Sequence, residues 1–196
     1  MPTDDIIRTR QRTVSNEGYD FQVRVKDLVN AGLETEHQPM KVLINNEIFN
    51  DPHLKEMFLI PVRGFKKVWG DVDLVVKNLE NNYPVALISC KTSLHGRFSE
   101  TLFYSIVYKT KIPDIKVVFA TPDKGRQGSS STWETEWGSL ERPTKDRYLS
   151  ETYLDGVYID NDFLRTKWGV EGHTSLGGKV KPITQLVNDL VTWSRF

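Results

Sequence analysis

The sequence lacks the features of secreted and membrane proteins. It has a single cysteine, Cys90, which excludes an intramolecular disulfide framework and suits a reducing compartment. No apolar run approaches the ~18 residues that a membrane-spanning helix needs. The first residues, MPTDDIIRTRQR, have no apolar core of the kind found in a signal peptide. These absences predict a cytoplasmic protein without a membrane partner.

Neither sign of charge predominates, since 26 Lys and Arg residues balance 26 Asp and Glu residues. Many proteins that bind nucleic acids are basic overall. The position of the cations matters more than their sum, however. The balance therefore neither supports nor excludes a nucleic-acid partner. The four histidines have no metal-ligand spacing, which argues against a zinc site.

Apolar periodicity predicts an α/β fold with a central mixed β-sheet flanked by helices. The predicted helices are residues 16–32, 97–109 and 183–193. The predicted strands are residues 57–62, 68–76, 84–90, 116–120 and 154–159. Residues 33–55 are expected to be irregular or weakly helical. The buried stripe of the second helix is predicted to consist of Leu102, Phe103, Ile106 and Val107.

Charged side chains converge on two of the predicted strands. Side chains alternate along a strand, so Asp71 and Asp73 share one face, and Ser89 and Lys91 share one face. A hairpin centred near Asn81 places Asp73 opposite Ser89 and Asp71 opposite Lys91, because the members of each pair are equally far from the centre. Two carboxylates and an ammonium group are therefore expected at one end of an apolar pair of strands.

This arrangement is unfavourable unless a ligand uses it, because two nearby carboxylates resist joint ionisation. Mg²⁺ resolves the repulsion, since it binds oxygen ligands, usually one or two carboxylates with phosphate oxygens and waters. A neighbouring lysine can orient or deprotonate a water molecule and neutralise charge on phosphorus. The cluster therefore predicts phosphodiester hydrolysis with Mg²⁺ as the cofactor. Cys90 alternates away from it and is expected to be a buried thiol.

These residues resemble the motif of the PD-(D/E)xK nuclease superfamily, in which an acid on one strand precedes (Asp/Glu)-x-Lys on the next. Here the motif reads Asp73, with Asp71 beside it, and then Ser89-Cys90-Lys91. The stretch KTSLHGRFSETLF is similar to segments that follow the catalytic lysine in type II restriction endonucleases. The resemblance covers residues 16–120 and implies a restriction-endonuclease-like fold.

The sequence departs from the family motif at two positions. Ser89 stands where the family usually has Asp or Glu, and some restriction enzymes carry that acid on the following helix, which makes Glu100 the candidate here. Gln22 falls where the first helix of the family often has another acid, for which Glu17 or Asp20 could substitute. The resemblance therefore leaves the full set of acids open.

The resemblance implies a type II restriction endonuclease that cleaves a specific site in duplex DNA. A palindromic site would be cut by a symmetric homodimer. The implied roles are Asp73 as primary metal ligand, Asp71 and Glu100 as additional ligands, Lys91 as the group that positions the attacking water, and Ser89 as a hydrogen-bonding support.

A single nuclease domain is expected over residues 1–196, with its catalytic core at about 16–120. The remainder, 122–196, is expected to provide recognition and dimerisation elements, with DNA recognition by 122–151 and 171–182. The side chains expected to contact DNA are Arg8, Arg10, Arg12, His95, Arg97, Arg126 and Gln127. A disordered basic tail and solvated loops are the alternative interpretations of these residues.

Three other functions remain compatible with the sequence. The first is a different nuclease of the same fold, either a structure-specific or repair nuclease or one subunit of a heteromeric restriction enzyme. The second is a DNA-binding module without catalytic activity, in which a serine could replace the motif acid. The third is an unrelated α/β enzyme that uses a carboxylate–lysine pair on a small substrate and has no salt-sensitive affinity for DNA.

Overall fold

The computed structural model describes residues 4–64, 66–94, 97–123, 126–127, 133–163 and 176–195. Its helices are α1 (Asp4–Thr35), α2 (Asn45–Asn50), α3 (Pro52–Phe58), α4 (Phe98–Lys111), α5 (Lys145–Tyr153) and α6 (Leu186–Trp193). Across these ranges, no helix combines the length and apolar character required to cross a bilayer. A short 3-10 turn, Ile183–Gln185, leads into α6.

The strands of the described residues form three sheets. In chain order they are β1 (Met40–Ile44), β2 (Leu59–Ile60), β3 (Val68–Trp69), β4 (Leu74–Asn78), β5 (Pro84–Cys90), β6 (Lys116–Thr121), β7 (Arg126–Gln127), β8 (Trp133–Glu134), β9 (Gly156–Ile159) and β10 (Val180–Pro182). The central sheet has the order β1–β4–β5–β6–β9–β10, while β2 pairs with β3 and β7 pairs with β8.

The central sheet is mixed, as predicted. Strands β1, β4 and β5 are antiparallel neighbours, whereas β5, β6, β9 and β10 run parallel. Parallel neighbours need long crossover connections. Helix α4 supplies the connection from β5 to β6, and α5 lies in the connection from β6 to β9. The carboxyl ends of these parallel strands therefore meet along one edge of the sheet.

Helices cover both faces of the sheet and create two apolar cores. Helix α1 buries Phe21, Val25, Val29 and Leu33, which recur at intervals of four, against one face, and α6 packs there as well. Helices α2, α3 and α4 bury residues such as Ile48, Phe58 and Tyr108 against the other face. The sheet strands are accordingly buried on both sides, which accounts for the near-continuous apolar sequence of β5.

Several predicted helices and strands differ from those in the structure. Residues 68–76 do not form one strand, because 68–69 pair with β2 and the central-sheet strand begins at Leu74. Residues 57–62 form mainly the end of α3 and the two-residue β2. Residues 33–55 contain strand β1, which was not predicted. Helix α1 begins at Asp4, twelve residues before the predicted start at 16.

The buried face of α4 also differs from the prediction. Phe103 and Ile106 are 59% and 51% exposed. The buried residues of this helix are Phe98, Thr101, Leu102, Ser105 and Tyr108, so the prediction is confirmed for Leu102 alone. Because this inward stripe includes the small polar residues Thr101 and Ser105, apolar periodicity alone predicts a buried face that is displaced from the observed one.

The segment 122–196 contributes to the core as well as to the surface. Strands β9 and β10 extend the central sheet beyond β6, and α6 packs against α1. The predicted strand at 154–159 is confirmed with bounds Gly156–Ile159. Residues beyond 120 are therefore part of the structure that supports the strand ends.

Candidate active site

The predicted site lies where β4 begins and β5 ends. The register pairs Leu74 with Ile88 and Val75 with Leu87, which continues to Asp73 opposite Ser89. This is the register predicted from a hairpin centred near Asn81. Asp73 precedes the first residue of β4 and Lys91 follows the last residue of β5, so both side chains lie at the same edge of the sheet.

Lys91 makes ion pairs with both aspartates. Its Nζ lies 2.6 Å from Asp71 Oδ2 and 2.9 Å from Asp73 Oδ2. The side chains of Lys91 and Asp73 are 6% and 9% exposed, whereas that of Asp71 is 26% exposed. The expected convergence of two carboxylates and one ammonium group is confirmed. Asp71 forms the side of the cluster that is open to solvent.

Asp73 accepts hydrogen bonds from several further donors. The backbone N–H of Cys90 donates to Oδ2 at 2.8 Å, and Ser89 Oγ lies 3.5 Å from the same oxygen. The amide Nε2 of Gln22, on α1, donates to Oδ1 at 2.8 Å. Donors from the sheet and from α1 thus fix the orientation of the carboxylate, and they offset part of the penalty of burying it.

The electrostatics of the cluster follow from burial and ion pairing. Burial raises the pKa of Asp73, and the charge of Lys91 only partly opposes this rise. Burial by itself would lower the pKa of Lys91, but Asp73 and Asp71 outweigh it, so the pKa of the ammonium is raised. Lys91 is therefore a cation throughout the physiological pH range. Cys90 is buried, as predicted, and burial raises the pKa of its thiol well above the usual value.

Thr101 is a member of the cluster that was not predicted from the sequence. Its Oγ1 lies 2.9 Å from Ser89 Oγ, so a chain of hydroxyl groups connects α4 to Asp73. Both hydroxyls are buried. The sequence signal for Thr101 is weak, because most threonines in helices face solvent and only the packing of α4 turns this one inward.

Glu100 does not join the cluster, and this corrects the expectation of a third carboxylate. It is exposed, and it shares the outward side of α4 with Phe103, three residues further on. The adjacent Thr101 faces Ser89 instead. The described residues include no group of three His, Cys, Asp or Glu side chains suited to a metal ion.

Gly70 allows the segment before β4 to pass close to α4. A Cβ at this position would overlap Tyr108 Oη and lie 2.8 Å from Tyr104 Cε1. Tyr108 is buried and its hydroxyl donates to Phe58 O, so it has little room to move. The absence of a side chain at residue 70 therefore helps to determine where Asp71 lies.

A second buried acidic network lies beside the segment that follows Lys91. Glu136 Oε2 accepts a hydrogen bond from the backbone N–H of Leu94 at 3.3 Å. The N–H of Glu136 and the hydroxyl of Thr135 both donate to the carboxylate of Asp123. This network connects the residues that flank the β7–β8 pair to the segment between β5 and α4. Sequence spacing gave no sign of it.

The structure describes some, but not all, of the residues expected to contact DNA. Arg97 is exposed and immediately precedes α4. His95 and residues 171–175 lie outside the described residues. Arg126 and Gln127 form β7, and the three N-terminal arginines lie within helix α1 rather than on an extended arm. The three are Arg8, Arg10 and Arg12.

The donor set fits a small divalent cation. Mg²⁺ is usually held by one or two protein carboxylates and completes its shell with waters and phosphate oxygens. Asp73 and the more exposed Asp71 provide two carboxylates at the open edge of the sheet. Both pair with Lys91 through Oδ2, and Asp71 is accessible to solvent. These two residues are the candidate metal ligands.

Similarity to known proteins gives evidence about the family and the fold that is independent of the site geometry. The model of a protein family described as BsaWI restriction endonuclease type 2 matches residues 50–188. No curated protein matches the sequence. The fold is similar to that of a specific complex of restriction endonuclease AgeI with DNA, at TM-score 0.65 and 16% identity, over 94% of this chain and 69% of that chain.

The fold is also similar to a pre-specific complex of restriction endonuclease BsaWI with DNA. This similarity has TM-score 0.54 and 15% identity over 97% of this chain. The chain covers 65% of that BsaWI chain, so both solved proteins are considerably longer. At these identities the solved structures share the fold, and the family match covers most of the strands and helices described above.

Proposed function

The chain belongs to the BsaWI restriction endonuclease type 2 family, and we propose that it cleaves duplex DNA at a specific site in a reaction that depends on Mg²⁺. Restriction endonucleases generally use a divalent metal ion. The observation that carries the proposal is the contact of Lys91 with Asp71 and Asp73 at one edge of the sheet. Membership of this family also argues against the alternative of an unrelated α/β enzyme that acts on a small substrate.

In this mechanism Asp73 and Asp71 would hold the divalent cation. When bound, a divalent cation supplies positive charge beside the scissile phosphate and makes a nearby water a stronger nucleophile. The donors on Asp73 keep its carboxylate oriented while the substrate binds. Ser89 supports that orientation through its contacts with Asp73 and Thr101. The exposed Glu100 has no part in this proposal.

Lys91 acts as a fixed positive charge in the proposed reaction. While Lys91 is paired with the two aspartates, they outweigh the effect of burial and raise the pKa of its ammonium. Two of its three N–H donors hold Asp71 and Asp73, and the third can orient the attacking water or stabilise the negative charge that develops on a phosphate oxygen. A water molecule or the substrate phosphate must then accept the proton released by the nucleophile.

The proposed partner is double-stranded DNA, and the proposed assembly is a homodimer. Two copies related by a twofold axis match the symmetry of a palindromic site and provide one active centre for each strand. The segments 122–151 and 171–182, the exposed Arg97, and the candidate residues His95, Arg126 and Gln127 are proposed to contact DNA. Gel filtration with light scattering tests the assembly, and it should give twice the mass of the chain.

Incubation with several plasmid DNAs, with and without Mg²⁺, tests the proposed reaction. We expect discrete fragments that depend on Mg²⁺ and differ between plasmids according to their sequence. Branched DNA of the same length should be cut no better than linear DNA. Cleavage of branched substrates alone would instead indicate a structure-specific nuclease, while cleavage only after adding another protein would indicate a subunit of a heteromeric enzyme.

A DNA-binding module without catalytic activity is the second candidate. It is favoured by a specific observation, namely that the cluster contains two carboxylates, with Ser89 in the motif position and Glu100 exposed. Such a module would bind duplex DNA with salt-sensitive affinity. It would leave every plasmid intact at any Mg²⁺ concentration, so the plasmid experiment separates the two candidates.

A further inference from the structure

Helix α1 contacts Asp73 through an amide rather than an acid. Gln22 Nε2 lies 2.8 Å from Asp73 Oδ1. An ionised carboxylate only accepts hydrogen bonds, so the NH₂ end of the amide must face it and the carbonyl end must point elsewhere. Gln22 therefore holds the one oxygen of Asp73 to which Lys91 and Cys90 do not donate.

The position of Gln22 is fixed by its neighbours on α1. Phe21 and Val25 are fully buried in the core on either side of it. Arg24, two residues further, forms a bidentate ion pair with the buried carboxylate of Asp160, with distances of 2.6 and 3.1 Å. Asp160 immediately follows β9, at the same edge of the sheet as Lys91. This turn of α1 therefore cannot move away from Asp73 without breaking a buried contact.

The charge of the cluster limits how many cations it can hold. Asp71 and Asp73 contribute two negative charges and Lys91 contributes one positive charge, which leaves one net negative charge. Gln22 adds no charge. One divalent cation already makes the site positive, so a second would bind against net repulsion and with no further carboxylate among the described residues grouped to receive it.

We infer that Gln22 is a positioning residue that holds Asp73 for a single divalent cation, and that the described side chains of α1 contribute no carboxylate for a second one. The inference depends on the proposed function, in which Asp73 is a metal ligand. Gln22→Glu has nearly the same shape but replaces a hydrogen-bond donor with a carboxylate. The substitution would therefore replace a residue that supports the metal ligand Asp73 with a residue that can itself bind the metal.

Binding of Mn²⁺ to the full chain, measured in the absence of DNA from the electron paramagnetic resonance signal of the free ion, tests this inference. We expect one Mn²⁺ per chain in the wild type and loss of that ion in Asp73→Asn. Gln22→Leu should bind Mn²⁺ about 10–100-fold more weakly, which is typical when a hydrogen bond to a metal ligand is removed. Gln22→Glu should bind it about tenfold more tightly or bind a second ion.

The outcomes separate this inference from the proposed function. Mn²⁺ binding that survives Asp73→Asn would contradict the proposed metal site itself. Binding that is lost in Asp73→Asn but unchanged in Gln22→Leu and Gln22→Glu would overturn only the role of Gln22. Two Mn²⁺ ions per wild-type chain, both lost in Asp73→Asn, would also overturn it. Circular dichroism identifies a misfolded variant, and the nearly isosteric Gln22→Glu keeps the test informative if Gln22→Leu does not fold.

Discussion

Replacement of Lys91 by methionine should destabilise the protein in a way that Mg²⁺ reverses. Lys91 lies between Asp71 and Asp73 at 2.6 and 2.9 Å, and methionine retains its bulk without its charge. Breaking a buried ion pair typically costs about 3–5 kcal/mol. Asp71 is partly exposed and Asp73 can take up a proton, so we expect the lower end, about 3 kcal/mol.

For a chain of this size about 3 kcal/mol corresponds to a fall in Tm of roughly 6–12 °C. Mg²⁺ should restore much of this loss in Lys91→Met, because the cation replaces the missing positive charge. Binding at 100 times Kd contributes about 2.7 kcal/mol. Thermal unfolding of the wild type and the variant, with and without Mg²⁺, measures both effects.

The loss of stability in Lys91→Met should also depend on pH. Burial raises the pKa of Asp73, and Lys91 is the charge that opposes this rise, so the pKa must rise further in Lys91→Met. A raised carboxyl pKa contributes stability at low pH that disappears as the pH rises through the folded-state value. Lys91→Met should therefore be closer to the wild type at pH 5 than at pH 8. A variant that unfolds at the wild-type temperature at pH 8, or that gains no more from Mg²⁺ than the wild type, would refute the reasoning.

Three further substitutions test the surroundings of the cluster. Glu100→Ala should cleave DNA within about threefold of the wild-type rate because the residue is exposed; loss of cleavage would make Glu100 part of the site. Gly70→Ala should lower the free energy of unfolding by about 1–3 kcal/mol and reduce cleavage, because its Cβ collides with Tyr108. The matched control Gly18→Ala has open space around its Cβ, so it should neither lower the free energy of unfolding nor reduce cleavage. Equal effects of Gly70→Ala and Gly18→Ala would contradict the proposed collision. Thr101→Val should reduce kcat about tenfold while stability changes by only about 1 kcal/mol, and an unchanged kcat would remove the hydroxyl chain from the mechanism.

The local part of the site was predictable because strand geometry is regular. Alternation along each strand and a short turn sufficed to pair Asp73 with Ser89, and the observed register of β4 and β5 agrees. The motif residues lie within twenty positions of one another, so few alternative arrangements had to be considered. The mixed sheet followed from the same apolar pattern.

Contacts between distant segments could not be predicted in this way. Gln22 and Asp73 are 51 positions apart, and Leu94 and Glu136 are 42 apart. No periodicity brings such residues together, since their contact depends on how α1 and the β7–β8 region pack on the sheet. Strand β1 was missed for a similar reason, because it is a short edge strand whose pairing with β4 joins segments that are far apart in the chain.

The face of α4 shows how tertiary packing overrides a local pattern. Phe103 and Ile106 gave the stronger apolar signal, yet they face outward. The helix instead turns Thr101 and Ser105 inward, where their hydroxyls find hydrogen-bond partners in Ser89 and the carbonyl of Tyr153. The observed orientation of α4, which differs from the predicted one, also leaves Glu100 exposed.

The most direct test of the proposed site is the single-turnover rate of plasmid cleavage by the wild type and by Asp73→Asn. Both proteins are assayed at saturating Mg²⁺ and again in the presence of a chelator. The wild type should produce discrete fragments only with Mg²⁺, and Asp73→Asn should be slower by about 10²–10³-fold or more. Equal rates for the two proteins, or the same fragments in the presence of the chelator, would contradict the assignment of this cluster as a metal-dependent nuclease site.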